Sequence, residues 1–170
     1  MSVFVAGPFV SLEWSPDELD GASPGARLRL KILEIVQHLE HKFILGEHRG
    51  VEEITGEHIP SQASIALSEL QLVNGADAII IIPDSPGSFA ELGSWAMRED
   101  LCSKALVLGN SLYENVFSYV SHGVFPMARH SNARIEWIDY EDHEIAAETI
   151  SDFLSVIQDR IIARRIRSGR

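Results

Sequence analysis

The sequence is poor in cysteine and has no long apolar run. Cys102 is the single cysteine among 170 residues, which excludes an internal disulfide framework. A chain without disulfides suits a reducing compartment, so we expect a cytoplasmic protein. No apolar stretch approaches the roughly 18 residues that a membrane span needs, and the N-terminus lacks the charged and apolar regions of a signal peptide. We therefore expect no membrane association.

Positive charge is also scarce. The chain has 14 Lys and Arg against 25 Asp and Glu, for a net charge of -11. Five arginines and no acid lie in residues 160–170, a basic C-terminal tail, so the remaining residues carry a net charge near -16. A body this acidic repels nucleic acid. We expect no nucleic-acid partner except through the tail, which we interpret as a frayed helix end.

Strand and helix patterns alternate along the chain. Short apolar runs predict strands, and longer segments with apolar residues three or four apart predict helices. The predicted strands are 3–6, 42–46, 78–82, 105–108 and 134–139, and the predicted helices are 27–41, 61–74, 88–100 and 143–165. We expect one domain over residues 1–170: an α/β fold with a doubly wound, flavodoxin- or Rossmann-like sheet of about five mostly parallel strands and helices on both faces.

One strand exit stands out as a candidate site. Residues 78–82 are one alanine and four isoleucines, as in a central strand that is covered on both faces. Ligands bind beyond the carboxyl ends of such strands, where Gly87 would let backbone approach a ligand and a new helix would offer free N–H groups. Glu91 follows in the first turn. It either acts on a bound sugar or merely complements the helix dipole, with Asp84 or Ser88 as the cap.

Three motifs carry a resemblance to a known family. They are Val-Phe-Val-Ala-Gly-Pro-Phe at 3–9, Gly-Ala-Asp-Ala-Ile-Ile-Ile-Ile-Pro at 75–83, and Ser-Pro-Gly-Ser-Phe-Ala-Glu-Leu-Gly at 85–93. Together they resemble the nucleoside 2-deoxyribosyltransferase family, which includes nucleoside 5′-monophosphate N-glycoside hydrolases. The last motif is also similar to deoxyribosyltransferase-like effectors of anti-phage systems, some of them retrons, and to the lysine-decarboxylase-like phosphoribohydrolases.

The resemblance implies roles for individual residues. The family's nucleophilic glutamate falls on Glu91, and a second acid falls on Glu69, where the family usually has aspartate. At the position of Ser85 the transferases have an aspartate that meets the sugar's 5′-hydroxyl, whereas the monophosphate hydrolases have a serine that binds the 5′-phosphate. Ser85 therefore favours a nucleotide, but the adjacent Asp84 leaves the choice between nucleoside and nucleotide open.

Loop residues complete the predicted site. Phe9 and Trp14 either stack on a base or simply pack, and Arg49 or His48 lies where it could reach a phosphate or a base. The predicted substrate-binding residues are Gly7, Pro8, Phe9, Asp84, Ser85, Gly87, Ser88 and Arg49.

Other polar residues are given no role in chemistry. The histidines His38 and His41 lack a third ligand at suitable spacing, and the family that the sequence resembles needs no metal, so we expect no metal site. We expect no cofactor either. Cys102 is expected to be a buried thiol. Asp77, at the opposite end of its strand from the site, is expected to be structural.

The sequence thus predicts an enzyme that cleaves or exchanges the N-glycosidic bond of a nucleoside or nucleotide. One alternative is an effector that depletes NAD or another nucleotide with the same glutamate, and another is a module that senses a nucleotide without cleaving it. The resemblance also implies a homo-oligomer. The apolar face of the last helix either pairs subunits or covers the sheet; it comprises Ile150, Phe153, Leu154, Ile157 and Ile161.

Overall fold

The described residues form one central sheet of five parallel strands. The computed structural model describes residues 1–46 and 65–169, with the backbone alone at 65–68. The predictions for Arg49, His48 and the start of the helix at Ser61 lie outside the described residues. The strands are β1 (Ser2–Ala6), β2 (Lys42–Ile44), β3 (Ala78–Ile81), β4 (Ala105–Asn110) and β5 (Arg134–Ile138). The predicted α/β class with a parallel sheet is confirmed.

The strand order places a crevice beside the central strand. The order is β2-β1-β3-β4-β5, so β3 lies in the middle of the sheet. All four residues of β3 are fully buried, which explains the unbroken run of alanine and isoleucine. The chain winds towards β2 after β1 and in the other direction after β3. This reversal opens a crevice at the carboxyl ends of β1 and β3, where ligands bind in such folds.

Helices cover both faces of the sheet, as predicted. The helices are α1 (Pro16–Asp20), α2 (Pro24–His38), α3 (Ile65–Gly75), α4 (Pro86–Trp95), α5 (Glu99–Cys102), α6 (Phe125–His130) and α7 (His143–Ser168). Buried residues of α2 and α7 form one core cluster with Val3 and Val5 of β1. Residues of α3, α4, α5 and α6 form the second cluster with Phe4 and Ala6, on the opposite face.

Two predicted helix starts were late by two or three residues. α2 begins at Pro24, because the hydroxyl of Ser23 accepts from the N–H of Ala26 at 3.2 Å and proline suits the first helical position. α4 begins at Pro86 for the same reason, with Ser85 as its cap. It ends at Trp95 rather than 100, since Arg98 has extended backbone angles and α5 starts after it.

The segment between β4 and β5 contains structure that was not predicted. A 3₁₀ turn (Ser111–Tyr113), one turn of π-helix (Val120–Val124) and α6 follow one another there. The apolar stretch of this segment has no clear helical period, and Pro126 lies at the start of α6, so the pattern did not reveal a helix.

The final helix covers the sheet. Ile150, Phe153, Leu154 and Ile157 are each at most 4% exposed in the cluster with β1, which decides between the two roles predicted for this face. α7 continues to Ser168 and is capped by Gly169, whose φ of 67° is left-handed, so the basic tail is helical almost to its end; fraying of this end stays a prediction. None of the described helices is long and apolar enough to cross a bilayer.

Candidate active site

The exits of β1 and β3 lie side by side. Ala6 pairs with Ile81, and the N–H of Ile82 donates to the carbonyl of Ala6 at 3.0 Å. A Cβ atom on Gly7 would lie 3.3 Å from the Cβ of Ile82 and 3.1 Å from the Cδ of Arg29. A side chain at position 7 would therefore crowd both neighbours. The glycine of the Ala-Gly-Pro motif allows the two exits to come together.

The turn after β3 is locked by two serines. The hydroxyl of Ser85 accepts from the N–H of Ser88 at 3.2 Å, and the hydroxyl of Ser88 accepts from the N–H groups of Ser85 and Asp84 at 3.0 and 3.1 Å. This reciprocal capping uses the hydroxyl of Ser88, which is only 1% exposed. The N–H of Gly87 has no hydrogen-bond partner among the described residues, and it is the donor left at this helix start.

A cavity of about 220 Å³ lies at the crevice between these exits. It brings together both predicted carboxylates and most of the predicted binding residues. Its lining is Phe4, Ala6, Gly7, Phe9, Arg29, Gly46, Glu69, Ser85, Gly87, Ser88 and Glu91. We call it the glutamate cavity. Of the remaining predictions, Pro8 and Asp84 do not line it.

Glu69 reaches the glutamate cavity from α3 across the end of β2. A Cβ atom on Gly46 would lie 2.6 Å from Oε1 of Glu69 and 3.1 Å from its Cγ and Cδ. The carboxylate of Glu69 therefore lies directly against the backbone of Gly46. Glycine at position 46 is what makes room for it, and this glycine was not predicted to matter.

Asp84 turns away from the glutamate cavity. Its carboxylate accepts a hydrogen bond from the hydroxyl of Ser23 at 3.3 Å and another from the N–H of Gly25, at the start of α2. A Cβ on Gly25 would lie 2.3 Å from Oδ2 of Asp84, so this approach also requires glycine. Burial raises the pKa of the Asp84 carboxyl, and the two hydrogen bonds oppose that shift. Of the two neighbours, Ser85 alone borders the glutamate cavity.

A second cavity, of about 300 Å³, lies on the other side of the first turn of α4. Four of its twelve lining residues are aromatic, and the ring centroids of Phe125 and Trp137 lie 4.8 Å apart. The lining is Pro83, Asp84, Phe89, Gly109, Asn110, Tyr113, Val116, Ser118, Val120, Ser121, Phe125 and Trp137. We call it the aromatic cavity. It was not predicted, because its walls come from four separate segments of the chain.

Arg29 also lines the glutamate cavity and was missed by the sequence-based prediction. Its side chain is 1% exposed and donates to the carbonyls of Val5 at 2.6 Å and Pro8 at 2.7 Å. The helical spacing of α2 offered a signal. Its buried face repeats every three or four residues, and position 29 lies on that face beside Leu28. An arginine in an apolar stripe is a candidate for a buried role.

Two residues expected to be structural are so. The carboxylate of Asp77 accepts from the N–H and the hydroxyl of Ser2 at 2.7 and 3.0 Å, at the opposite end of the sheet. Cys102 is 2% exposed and its thiol contacts the carbonyl of Trp95 at 3.3 Å. Burial raises the pKa of this thiol to about 11, so it is protonated at neutral pH and unsuited to nucleophilic attack.

Comparison with known proteins relates both the fold and the sequence to others. The fold is similar to the solution structure of BlsM, with a TM-score of 0.52 and 22% identity over 94% of this chain and 93% of BlsM. Over 85 residues the chain is 28% identical to the retron Ec86 putative ribosyltransferase/DNA-binding protein of Escherichia coli. That alignment covers 49% of this chain and only 28% of the relative, so the chain spans a minor part of that protein's length.

The family described as STM3845 retron effector protein matches residues 26–168. The matched span includes both candidate acids and nearly all of α2 to α7. This match confirms the predicted similarity to retron effectors, whereas the similarity to nucleoside deoxyribosyltransferases stays a prediction. The chain belongs to the STM3845 retron effector protein family.

Proposed function

We propose that the chain is an effector enzyme that cleaves the N-glycosidic bond of a nucleotide, with Glu91 as the nucleophile. The observation that carries this proposal is the glutamate cavity, where Glu91 and Glu69 meet a helix start at the crevice between β1 and β3. Paired carboxylates beside a sugar are the usual means of breaking a glycosidic bond. The name of the Escherichia coli relative, a putative ribosyltransferase, supports the same chemistry.

The first step is displacement of the base. An oxygen of the Glu91 carboxylate bonds to C1′ of the sugar while the bond from C1′ to the base nitrogen breaks. The electron pair of that bond stays on the base, which takes up a proton as it leaves. The product is a glycosyl ester on Glu91. Glu69, in the same cavity, is placed to orient Glu91 or a sugar hydroxyl.

The second step returns the enzyme to its starting state. A water oxygen bonds to C1′, the ester bond breaks, and the carboxylate of Glu91 is restored as the water gives up a proton. The sum is nucleotide plus water giving sugar phosphate plus free base. A second base in place of water would give exchange.

The geometry around Ser85 favours a nucleotide over a nucleoside. Gly87 lines the cavity at the start of α4, where its N–H and the positive end of the helix dipole would stabilise a phosphate. The carboxylate of Asp84, which would repel a phosphate, is directed to α2. With the carboxylate of Asp84 turned away, the hydroxyl of Ser85 rather than an adjacent acid borders the cavity at this helix start, which suits a 5′-phosphate.

The test is an assay for free base over a panel of nucleosides, 5′-monophosphates and NAD, read by chromatography. We expect wild-type protein to release base from a nucleotide and Glu91→Gln to lower the rate by about a thousandfold or more. Glu148→Gln, an exposed carboxylate on α7, is the control and should retain the wild-type rate. Retained activity in Glu91→Gln, or nucleotide bound by wild type without turnover, would contradict the proposal.

A dinucleotide such as NAD is a second candidate substrate, and the aromatic cavity favours it. The first turn of α4 separates this cavity from the glutamate cavity, so one ligand could place phosphates at the turn and a ring on each side. Aromatic walls bind a nucleobase by stacking. Depletion of NAD in a cell would fit a retron effector, and its toxicity would disappear in Glu91→Gln.

Tyr113→Ala tests the dinucleotide assignment. Tyr113 lines the aromatic cavity and is 59% exposed, so its removal should leave folding intact. Loss of one stacking partner should raise KM for NAD about tenfold and leave KM for a mononucleotide unchanged. Tyr119→Ala, 81% exposed and outside the lining, is the matched control. Equal effects on both substrates would count against a ring in this cavity.

A further inference from the structure

A buried guanidinium holds the wall of the glutamate cavity. Arg29 extends from α2 beneath the turn formed by residues 7–9 and donates to the carbonyls of Val5, Gly7 and Pro8, at 2.6, 3.3 and 2.7 Å. The missing side chain of Gly7 leaves the room that the arginine occupies, since a Cβ there would lie 3.1 Å from Cδ of Arg29.

The described hydrogen bonds to this turn come from one side chain. Within the described part of the chain, no hydrogen bond to the backbone of residues 7–9 is made by any group other than Arg29. Pro8 has no N–H to donate, and the side chain of Phe9 is 64% exposed. Pro8 is buried and the ring of Phe9 contacts that of Trp14, so packing holds the side chains of the turn while Arg29 bonds its carbonyl groups.

A buried charge is an expensive way to fill this space. An aliphatic side chain of similar length would pack into the same stripe of α2 without losing the hydration of a cation. Arg27, two residues earlier on the same helix, is partly buried: it donates to the carbonyl of Ala22 and pairs with Glu141. The bonds of Arg29 to the carbonyls of Val5, Gly7 and Pro8 indicate that its guanidinium positions this turn.

We propose that Arg29 is a positioning residue, which fixes the turn at 7–9 as the wall of the glutamate cavity so that a bound sugar keeps its orientation towards Glu91. The proposal rests on the proposed function for its effect on rate. Its structural part, the immobilisation of the turn, stands apart from any activity. Arg29 touches backbone carbonyls, and it acts on the reaction through them.

The experiment compares Arg29→Met, Arg29→Lys and the matched control Arg27→Met by two measurements. Hydrogen exchange of the peptide spanning residues 5–12 reports the turn, and base release from the best nucleotide of the panel reports its effect on chemistry. We expect Arg29→Met to exchange at least tenfold faster in this peptide and to lose about 10- to 100-fold in kcat/KM. Arg29→Lys should recover part of both, because an ammonium has donors for some of the carbonyls. Arg27→Met should match wild type.

Each outcome decides the proposal. Wild-type exchange at 5–12 in folded Arg29→Met overturns it, as does an equal change in Arg27→Met. If Arg29→Met does not fold, Arg29→Lys decides: faster exchange confined to the turn supports the proposal, and wild-type exchange with wild-type kcat/KM overturns it. If wild-type protein releases no base from any nucleotide, the proposed function fails. Hydrogen exchange at residues 5–12 still tests whether Arg29 immobilises the turn. If wild type is active and Arg29→Met equals it, the positioning role alone fails.

Discussion

Gly46 controls where the second carboxylate of the glutamate cavity lies. In Gly46→Ala the new Cβ would fall 2.6 Å from Oε1 of Glu69, so the carboxylate must move. The displaced atom ends a flexible side chain, and we expect the free energy of unfolding to fall by no more than about 1 kcal/mol. The rate of base release should fall about tenfold or more, because a shifted carboxylate no longer orients the reacting groups. Urea denaturation and the base-release assay measure the two effects.

Gly93→Ala is the control for this substitution. A Cβ at position 93 of α4 meets no atom within 4 Å, and alanine favours a helix, so stability should rise slightly and activity should remain. If the Gly46→Ala variant kept full activity although the carboxylate of Glu69 is displaced, the assignment of Glu69 to the site would be wrong.

At the scale of elements, α2 ties the two strand exits together. Its first turn receives the carboxylate of Asp84 from the exit of β3, and Arg29 one turn later holds the exit of β1. Both sides of the crevice between β1 and β3 are therefore held by the same helix. Because both contacts come from one helix, displacement of α2 would disturb both walls of the site.

The Asp84 contact gives a pH-dependent stability that can be measured. Burial raises the pKa of this carboxyl above its unfolded value, so its contribution to stability is full below about pH 3.9 and declines as pH rises through the raised pKa. Asp84→Asn keeps an oxygen acceptor for Ser23 and Gly25 and does not ionise. We therefore expect the urea concentration at the unfolding midpoint of wild type, relative to that of Asp84→Asn, to decrease as the pH rises from 4 to 7.

Asp139→Asn, at an exposed carboxylate beyond β5, serves as the comparison and should show no such trend. A difference between wild type and Asp84→Asn that stays constant over this range would show that burial of the charge does not govern the contact.

At the scale of the whole molecule, positive charge is concentrated in the C-terminal tail and negative charge in the rest of the chain. The tail at 160–170 carries five arginines, while the remainder has a net charge near -16. In α7 the arginines Arg160, Arg164 and Arg167 are three or four residues apart and so share one side of the helix. The last deeply buried residue of this helix is Ile157, so its final turns extend past the core.

Deletion of residues 163–170 tests what these turns do. They bury little, since Ile166 is 75% exposed, so the free energy of unfolding should change by less than about 1 kcal/mol. Any binding of a DNA oligonucleotide at low salt should be lost with them, because the rest of the chain repels phosphate. Urea denaturation and a salt titration of oligonucleotide binding measure the two expectations.

A full-length variant with Arg164, Arg165, Arg167 and Arg170 changed to glutamine separates charge from helix length. It should bind no better than the deletion. Oligonucleotide binding that survives in both variants would place the nucleic-acid contact elsewhere on the chain.

The sequence by itself determined the class of fold and the approximate position of the helix start after β3. A run of isoleucine marks a strand that is covered on both faces, and Ser-Pro-Gly marks a helix start, because burial and capping depend on neighbours in the chain. Tertiary structure decided the rest of the site. Ser85 has extended backbone angles, in which consecutive side chains point in opposite directions, so which of Asp84 and Ser85 enters the glutamate cavity depends on the packing of α2. The approach of Glu69 to Gly46, the bonds of Arg29 and the aromatic cavity join residues far apart in sequence, and local spacing carries no record of such contacts.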